Sequence, residues 1–556
     1  WLAITRELGA HGRIFYRKRR QGINKKSGNL ADFCRRWGKL YRYMVVLDAD
    51  SIMTGDAILR LVLLMERNPR VGIIQGVPLL ANGETVLARI QQFASRLYGP
   101  VSAAGLNYWQ LSEANYWGHN AIIRLAPFIR HCSLPELPGD GPFGGRILSH
   151  DYVEAALIRR AGWEVWLATD IDGNYEECPP TVVDLAERDR RWLQGNLQHT
   201  RLVVAKGFHP VNRVHFMLGI LAYLASPLWL AFLVVSTIVA AKAGDTTTLQ
   251  MAGFAHYAHW SYAGEAFCLF AYTIFFLFVP KILALLDLRS RPAAVASFGG
   301  WKQLLYGVLC ETAIFTLLAP VLMIFHSWFI CLTLIGRKVG WNTQRRGVGP
   351  ESALAEAIIS NAAPTVLGIF GALVVFSVDP RLGFWMSPIL AGLILSIPLC
   401  YFTGSQPIGA GVRRRGIFQT PEESRPLPDL EQLAAAREAQ LASPSPPAAL
   451  RANYGLLQAI LDPYVNAVHV SLLRAKDDLP SVTEARFAIL RDKLLHDGPG
   501  ALSPADQKAL LMDADSMHLL HQEVWATPSG MLSAWWRTAL QHYTRLAPAP
   551  QTAFSR

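Results

Sequence analysis

Two hydrophobic patterns divide this chain of 556 residues. Over the first 210 positions, short apolar runs alternate with polar stretches punctuated by Gly and Pro, as in a folded α/β domain. Tyr43-Met44-Val45-Val46-Leu47 stops at Asp48 and predicts a buried strand. Ile58, Leu61, Val62 and Met65 then fall on one face of a helix. Val71-Gly72-Ile73-Ile74-Gln75 predicts another strand, and Tyr152–Ala161, closed by Gly162, another helix.

From residue 211 the pattern changes. Phe216–Ala241 is 26 residues without a charge, more than the about 20 that cross a hydrocarbon core. Ala266–Leu286 carries only Lys281, near an end from which it can snorkel. Ala357–Val378 and Leu382–Gly411 are uncharged too, separated by Asp379-Pro380-Arg381. Spans are therefore predicted near 216–241, 266–286, 357–378 and 382–403, within a membrane part covering 211–411. As one helix, 304–335 would extend roughly 48 Å, short of two 30 Å crossings, and Glu311, Pro320 and His326 interrupt it. The expectation is a bent, interfacial or re-entrant element, with two short spans as the alternative. Beyond 411, Ser443-Pro444-Ser445-Pro446-Pro447 punctuates helical patterns such as Val482–Leu495, and 412–556 is expected to be a mostly helical soluble tail.

Loop charges orient these elements. Arg289 and Arg291, Arg337-Lys338 with Arg345-Arg346, and Arg413-Arg414-Arg415 belong on the cytoplasmic side. Loop 243–262 has no Lys or Arg and belongs on the other. Four crossings, with 304–335 returning to its own side, bring all three basic loops to the face of domain 1–210.

Composition narrows the class. With 17% charged and 51% hydrophobic residues, a disordered solvating chain is excluded. Seven scattered cysteines without a C-x-x-C pair exclude a cysteine zinc ribbon or disulfide scaffold and suit a reducing compartment. The net charge is +11, and Arg13–Lys26 packs seven basic residues into fourteen. That segment could meet nucleic acid, a phosphate or anionic lipid; beside four spans, nucleic acid ranks last.

Three motifs carry candidate chemistry. Asp48-Ala49-Asp50 follows the first strand; such carboxylates can hold a divalent ion against a diphosphate, although strand-end Asp residues are usually turn formers. Ser149-His150-Asp151 opens a helix, where Asp151 reads as a general base or, with Glu154, as a capping box. Arg188-Asp189-Arg190-Arg191-Trp192 is a charged helix face or a sugar platform at a membrane entrance.

The order and spacing of these motifs, with spans following at once, resemble the family 2 processive glycosyltransferases, which include cellulose and hyaluronan synthases. The wording KKSGNLADFCRRWG, YMVVLDADSIMTG, NYWGHNAIIR, PFGGRILSHDYVEAALIRRAGWEVW and ERDRRWLQGNLQH is most similar to the branch that makes osmoregulated periplasmic glucans. The likeness is dense over 13–210, continues to about 420, and is loose beyond. It implies an α/β GT-A-like cytoplasmic domain, a helical transmembrane domain and a helical tail, in a multi-pass protein of the bacterial inner membrane. It further implies an inverting glucosyltransferase that extends a β-glucan from UDP-glucose, coupled to export.

By the same resemblance, Asp48 and Asp50 hold Mg²⁺ or Mn²⁺ on the diphosphate, and Asp151 is the base. Lys26, Ser27, Gly28 and Arg191 serve the donor; Trp192, His119, Asn120 and Arg188 serve the acceptor. Implied partners are UDP-glucose, the growing glucan, membrane lipids and a periplasmic glucan-processing protein, with no nucleic acid. Position 188 is Arg where cellulose synthases have Gln, so that contact differs. The family's first strand, with its uridine-binding Asp, and its N-terminal spans would precede Trp1, and a piece of a longer enzyme is expected. The rivals are another family 2 polysaccharide synthase, a lipid-phosphate glycosyltransferase, and a transporter with a basic regulatory domain.

Overall fold

The run that stops at Asp48 is a strand, β1 (Tyr43–Val46), with Met44 and Val46 buried. After β2 (Ile52–Met53), the Thr54 hydroxyl accepts the amide of Ala57 and caps the predicted helix. Its apolar face buries Ala57, Leu61 and Met65. These elements belong to a computed structural model that describes residues 8–10, 13–17, 19, 23–139, 141–243, 261–337, 350–426, 428–442, 448–473, 481–528 and 530–546.

Two units result: Arg19–Glu431, and Trp1–Lys18 with Gln432–Arg556. In the first, β3 (Val71–Gly76) is buried throughout, as a strand covered on both faces must be. With β4 (Leu79–Leu80), β5 (Ala121–Arg124), β6 (Glu164–Ala168) and β7 (Asn174–Glu176) it builds two mixed sheets. The larger is ordered β1-β5-β3-β6 and the smaller β2-β7-β4. In the larger, β5 runs antiparallel to both neighbours while β3 and β6 are parallel. The registers Val46↔Ala121, Gln75↔Ala121 and Gly76↔Ala168 put the ends of β1, β3 and β6 and the start of β5 at one sheet edge.

Around these sheets lie α1 (Lys25–Trp37), α2 (Gly55–Arg67), α3 (Val86–Gln110), α4 (His150–Arg160) and α5 (Val182–Gln198). Beyond them the helices lengthen and become apolar: α6 (Pro210–Ala243), α7 (Ser261–Arg289), α8 (Gly300–Leu334) and α9 (Pro350–Val378). A pair follows, α10 (Pro380–Ile394) and α11 (Ser396–Gly404), bent by 55°. Among the described residues, four helices are long and apolar enough to cross a membrane, α6 to α9, or five crossings result if the bent pair is one.

The expected bend in 304–335 is absent: α8 is one unbroken helix, which also excludes two short spans. Glu311 does not interrupt it, because Lys281 reaches Glu311 at 2.5 Å and the Tyr98 hydroxyl donates to it at 3.1 Å. Leu304 packs with α3, Leu318 with Leu87 and Val182, and Phe329 with Leu193 and Leu197. From 304 to 329 a helix runs about 37 Å, so α8 touches the sheet-bearing domain along its length. The other apolar helices touch it at one end: α6 through Phe216, α7 through Ala284 and Leu288, α9 through Ala357, α11 through Cys400. Loop residues 244–260 and 338–349, and the punctuation at 443–447, lie outside the described residues.

The unit expected to end before 412 continues to Glu431. Arg89, with 1% of its side chain exposed, donates to both oxygens of Glu423 at 2.5 and 2.9 Å and to the carbonyls of Ile417 and Phe418. Arg96 pairs with Glu422, and the Gln92 amide donates to Thr420. The tail unit has its own core around Leu457, Ile460, Leu494, Leu510, Met517, Leu520 and Trp536, and its predicted helix is Ser481–Asp497.

Removing one partner of a buried ion pair strands the other charge. Glu423→Ala should therefore lower stability by about 3–5 kcal/mol and expose 412–426 to protease. Thermal unfolding and limited proteolysis of the detergent-purified protein check this; an unchanged melting temperature would mean that the two carbonyls suffice for Arg89.

Candidate active site

The sheet edge gathers the motif residues. In the turn after β1, the Ser51 amide donates to the Asp48 carbonyl and the Ser51 hydroxyl accepts the Asp48 amide. Backbone and serine thus make the turn, and the Asp48 carboxylate binds the Lys26 ammonium instead. Lys26 reaches it from the start of α1, where Asn24 and Lys25 hold left-handed φ of 55° and 43°. Ser27 donates to the Asn24 carbonyl and Gly28 packs so tightly that a Cβ would lie 2.1 Å from the Ile23 carbonyl oxygen. Both shape the loop that carries Lys26.

Gly118, at φ 92°, lies between Lys26 and Asp151. A Cβ there would sit 3.2 Å from Asp151 Oδ2 and 3.6 Å from Lys26 Nζ. The Tyr116 hydroxyl donates to the Gly118 carbonyl at 2.8 Å. Burial, with Glu154, Asp151 and Asp48 nearby, holds that phenol well above its usual range, so it remains a donor.

Asp151 is not a helix cap. The N-cap of α4 is Ser149, and its side chain makes no capping bond. Glu154, the other half of the expected capping box, lies 3.1 Å from His150 Nδ1 instead. Burial opposes charge on His150, but Glu154 outweighs it and raises its proton affinity above the ordinary histidine value.

Helix α5 presses against this turn. A Cβ on Gly195 would lie 2.2 Å from Ser149 Oγ. The Gln198 amide donates to the carbonyls of Gly144 and Arg146 while its oxygen accepts the Leu148 amide. His199 Nε2 contacts the Ser149 carbonyl at 3.0 Å, and burial lowers its proton affinity, so it stays a neutral donor. On the same helix Arg188 stacks over the half-exposed Trp192 ring at 4.6 Å. Partial burial depresses the Arg191 guanidinium from its usual range.

His119 Nδ1 lies 3.0 Å from Asn120 Oδ1, but the two side chains differ in exposure. His119 Nε2 lies 3.2 Å from Glu176 Oε2, and Nδ1 lies 3.3 Å from Ser51 Oγ. Asn120, expected among the acceptor contacts, is wholly buried, and its amide donates to the Tyr175 carbonyl. A covered side chain has no surface to give a sugar. Three residues escaped the motif reading. Gln75 ties the 117–120 loop to β3 by donating to the His119 carbonyl and accepting the Trp117 amide. Gln198 pins the approach to Asp151. Glu176, ending β7, brings a third carboxylate beside Asp50 and Asp48; burial raises its pKa, against the pull of His119. The signal for Glu176 is only its place before Cys178-Pro179-Pro180, which identifies no chemistry by itself.

Among the described residues no three of His, Cys, Asp and Glu form an all-protein metal cage. Two carboxylates completed by a diphosphate are what Mg²⁺ commonly uses; of the two at 48 and 50, Asp48 draws the Lys26 cation.

Residues 43–285 match the family model described as Glycosyl transferase family group 2. The chain is 42% identical over 552 residues to the Glucans biosynthesis glucosyltransferase H of Cupriavidus pinatubonensis, covering 99% of this chain and 62% of that protein. Proteins of the same name from Ralstonia nicotianae and Pseudomonas entomophila are 44% and 43% identical, over 95% and 98% of this chain and 60% and 63% of theirs. The chain thus spans about three-fifths of the length of these curated relatives.

Glu176 offers a test of the site's electrostatics. Its raised folded pKa means that its charge costs stability above the ordinary value of 4.5, and that this cost vanishes when the group is protonated in both states. Glu176→Gln should therefore raise the melting temperature at neutral pH, with the gain disappearing as pH falls below that value. Melting curves from acid to neutral pH check the sign; a neutral-pH loss would mean that the His119 pairing dominates.

Proposed function

From the presence of a glycosyl transferase family group 2 domain, we propose that the chain belongs to a membrane glucosyltransferase that extends a β-glucan from UDP-glucose with inversion. The observation that carries this reading is the convergence of Lys26, Asp48 and Asp151 around Gly118, with the helix that bears the Arg188–Trp192 pair packed on the Asp151 turn through Gly195. A cation-binding diphosphate side and a carboxylate base meet there, as a single displacement requires.

In this reading Asp151 takes the proton of the acceptor hydroxyl as that oxygen attacks the anomeric carbon. The half-exposed Trp192, stiffened by Arg188, holds the acceptor sugar, and His119, beside Glu176, is a further acceptor contact. Lys26 and Arg191 bind the diphosphate, while Ser27 and Gly28 shape the donor loop. Asp48 and Asp50 would hold Mg²⁺ or Mn²⁺, which would supply neutralisation of the negative charge growing on the UDP leaving group.

The same reading has four crossings, α6, α7, α9 and the α10–α11 pair, with α8 lying along the interface. Each crossing element has an end on the sheet-bearing domain, which supports a common side for that domain and the basic loops. Positive-inside bias makes that side the cytoplasm, and the likeness to bacterial glucosyltransferases makes the membrane the inner one in this reading. Coupled export of the glucan, with a periplasmic processing partner, belongs to this reading through the likeness to the glucans biosynthesis glucosyltransferases. The provisional division remains 1–210 for transfer, 211–411 for the membrane and 412–556 for the tail, with 412–431 tied to the transfer unit.

Because Asp151 caps nothing, Asp151→Asn should leave the fold intact and reduce transfer on the order of 10²–10⁴-fold. UDP release and glucan formation by the full-length protein, beside its melting temperature, measure both; near-normal synthesis would remove the base from this mechanism. Asp50→Ala should instead weaken metal-dependent UDP binding, read by calorimetry with and without Mg²⁺. Unaltered affinity and metal dependence would return the pair to a turn.

A further inference from the structure

Resting on that reading, we propose that His326 of α8 is a positioning residue for the acceptor, holding the Arg188–Trp192 platform in register with the first apolar helix. Its Nε2 lies 3.1 Å from Asp189 Oδ2, and its Nδ1 lies 3.2 Å from Ser226 Oγ of α6. The Tyr223 ring, also on α6, meets the imidazole edge-on at 5.6 Å between centroids. Both His326 and Asp189 side chains are largely buried, at 13% and 14% exposure. One imidazole thus joins three helices at the place where the sheet-bearing domain meets the apolar helices.

Asp189 connects this junction to the sugar platform. Its other oxygen lies 3.5 Å from Arg188 Nη2, and Arg188 covers the Trp192 ring. One turn farther along α8, Phe329 lies under Arg190 at 5.4 Å. The alternating cations of α5 are therefore oriented from the α8 side: Arg190 on Phe329, and Arg188 through the carboxylate that His326 holds. A Cβ on Gly219 of α6 would lie 2.1 Å from Asn196 Oδ1, so α5 and α6 are already in close contact. Rotation of α5 about its axis remains the freedom that a polar clamp removes. His326 touches neither the Asp48–Lys26 side nor Asp151, so its effect should fall on the acceptor.

The test uses the full-length membrane protein with UDP-glucose and a soluble β-glucooligosaccharide, following UDP release. His326→Leu should raise KM for the oligosaccharide about tenfold, within the range for losing a hydrogen bond to a charged group. KM for UDP-glucose should stay constant and kcat should change less. His326→Gln, which still donates to Asp189, should recover most of the acceptor KM. Asp189→Ala should reproduce the shift, and combining it with His326→Leu should add little, because both remove one interaction. Should His326→Leu fail to fold, Asp189→Ala and His326→Gln carry the comparison. Unchanged acceptor KM in the folded variants, or full additivity, would overturn the proposal while leaving the glucosyltransferase reading intact. No transfer by the unaltered protein would overturn that reading, and this one with it.

Discussion

The contact of Gly195 with Ser149 is the constraint from which the site's geometry follows. With no Cβ at 195, α5 lies against the turn that presents Asp151, and Gln198 and His199 of the same segment fasten that turn by three carbonyls and an amide. Three residues before this contact, Trp192 is therefore held in place relative to the turn that presents Asp151. Asn196 occupies the space left by Gly219 on α6, so the same helix turn also sets where the first apolar helix starts. The Asp151 turn, the Arg188–Trp192 pair and the first apolar helix are spaced by one helix and two glycines.

Buried charge marks several of the joints among the apolar helices, the sheet-bearing domain and the segment after α11. Lys281 with Glu311 joins α7 to α8, Arg89 with Glu423 joins α3 to the segment after α11, and His326 with Asp189 joins α8 to α5. Taking ions out of water is costly, and such pairs add little net stability over an apolar packing. Their directional bonds instead distinguish one helix register from the next, which apolar side chains alone do poorly. That role suits α8, whose largely apolar surface would otherwise slide along α3 and α5.

The distribution of roles within the site has a similar logic. Groups that must stay neutral or oriented are covered: Tyr116, His199, Gln75 and Asn120. Those that would meet substrate keep some surface, as Trp192 does at 50% exposure. Glu176 is the exception, a carboxylate held in partial burial beside two others, where its charge works against the fold.

Periodicity and composition were enough to read β1, β3, α2, the helix carrying Asp151 and the apolar helices, because each depends on a local pattern of burial. The D-x-D, Asp151 and the Arg-Trp pair were legible for a different reason: their order and spacing resemble a known family. What α8 does was not legible, since a charge at 311 and a proline at 320 look like interruptions until Lys281 and Tyr98, distant in sequence, arrive to satisfy the carboxylate. The same limit hid Glu176, Gln198 and His326 and made Asn120 look like a contact. A side chain's neighbours across the fold decide whether it is covered, paired or open. Such neighbours lie dozens to hundreds of residues away, beyond the reach of any local pattern.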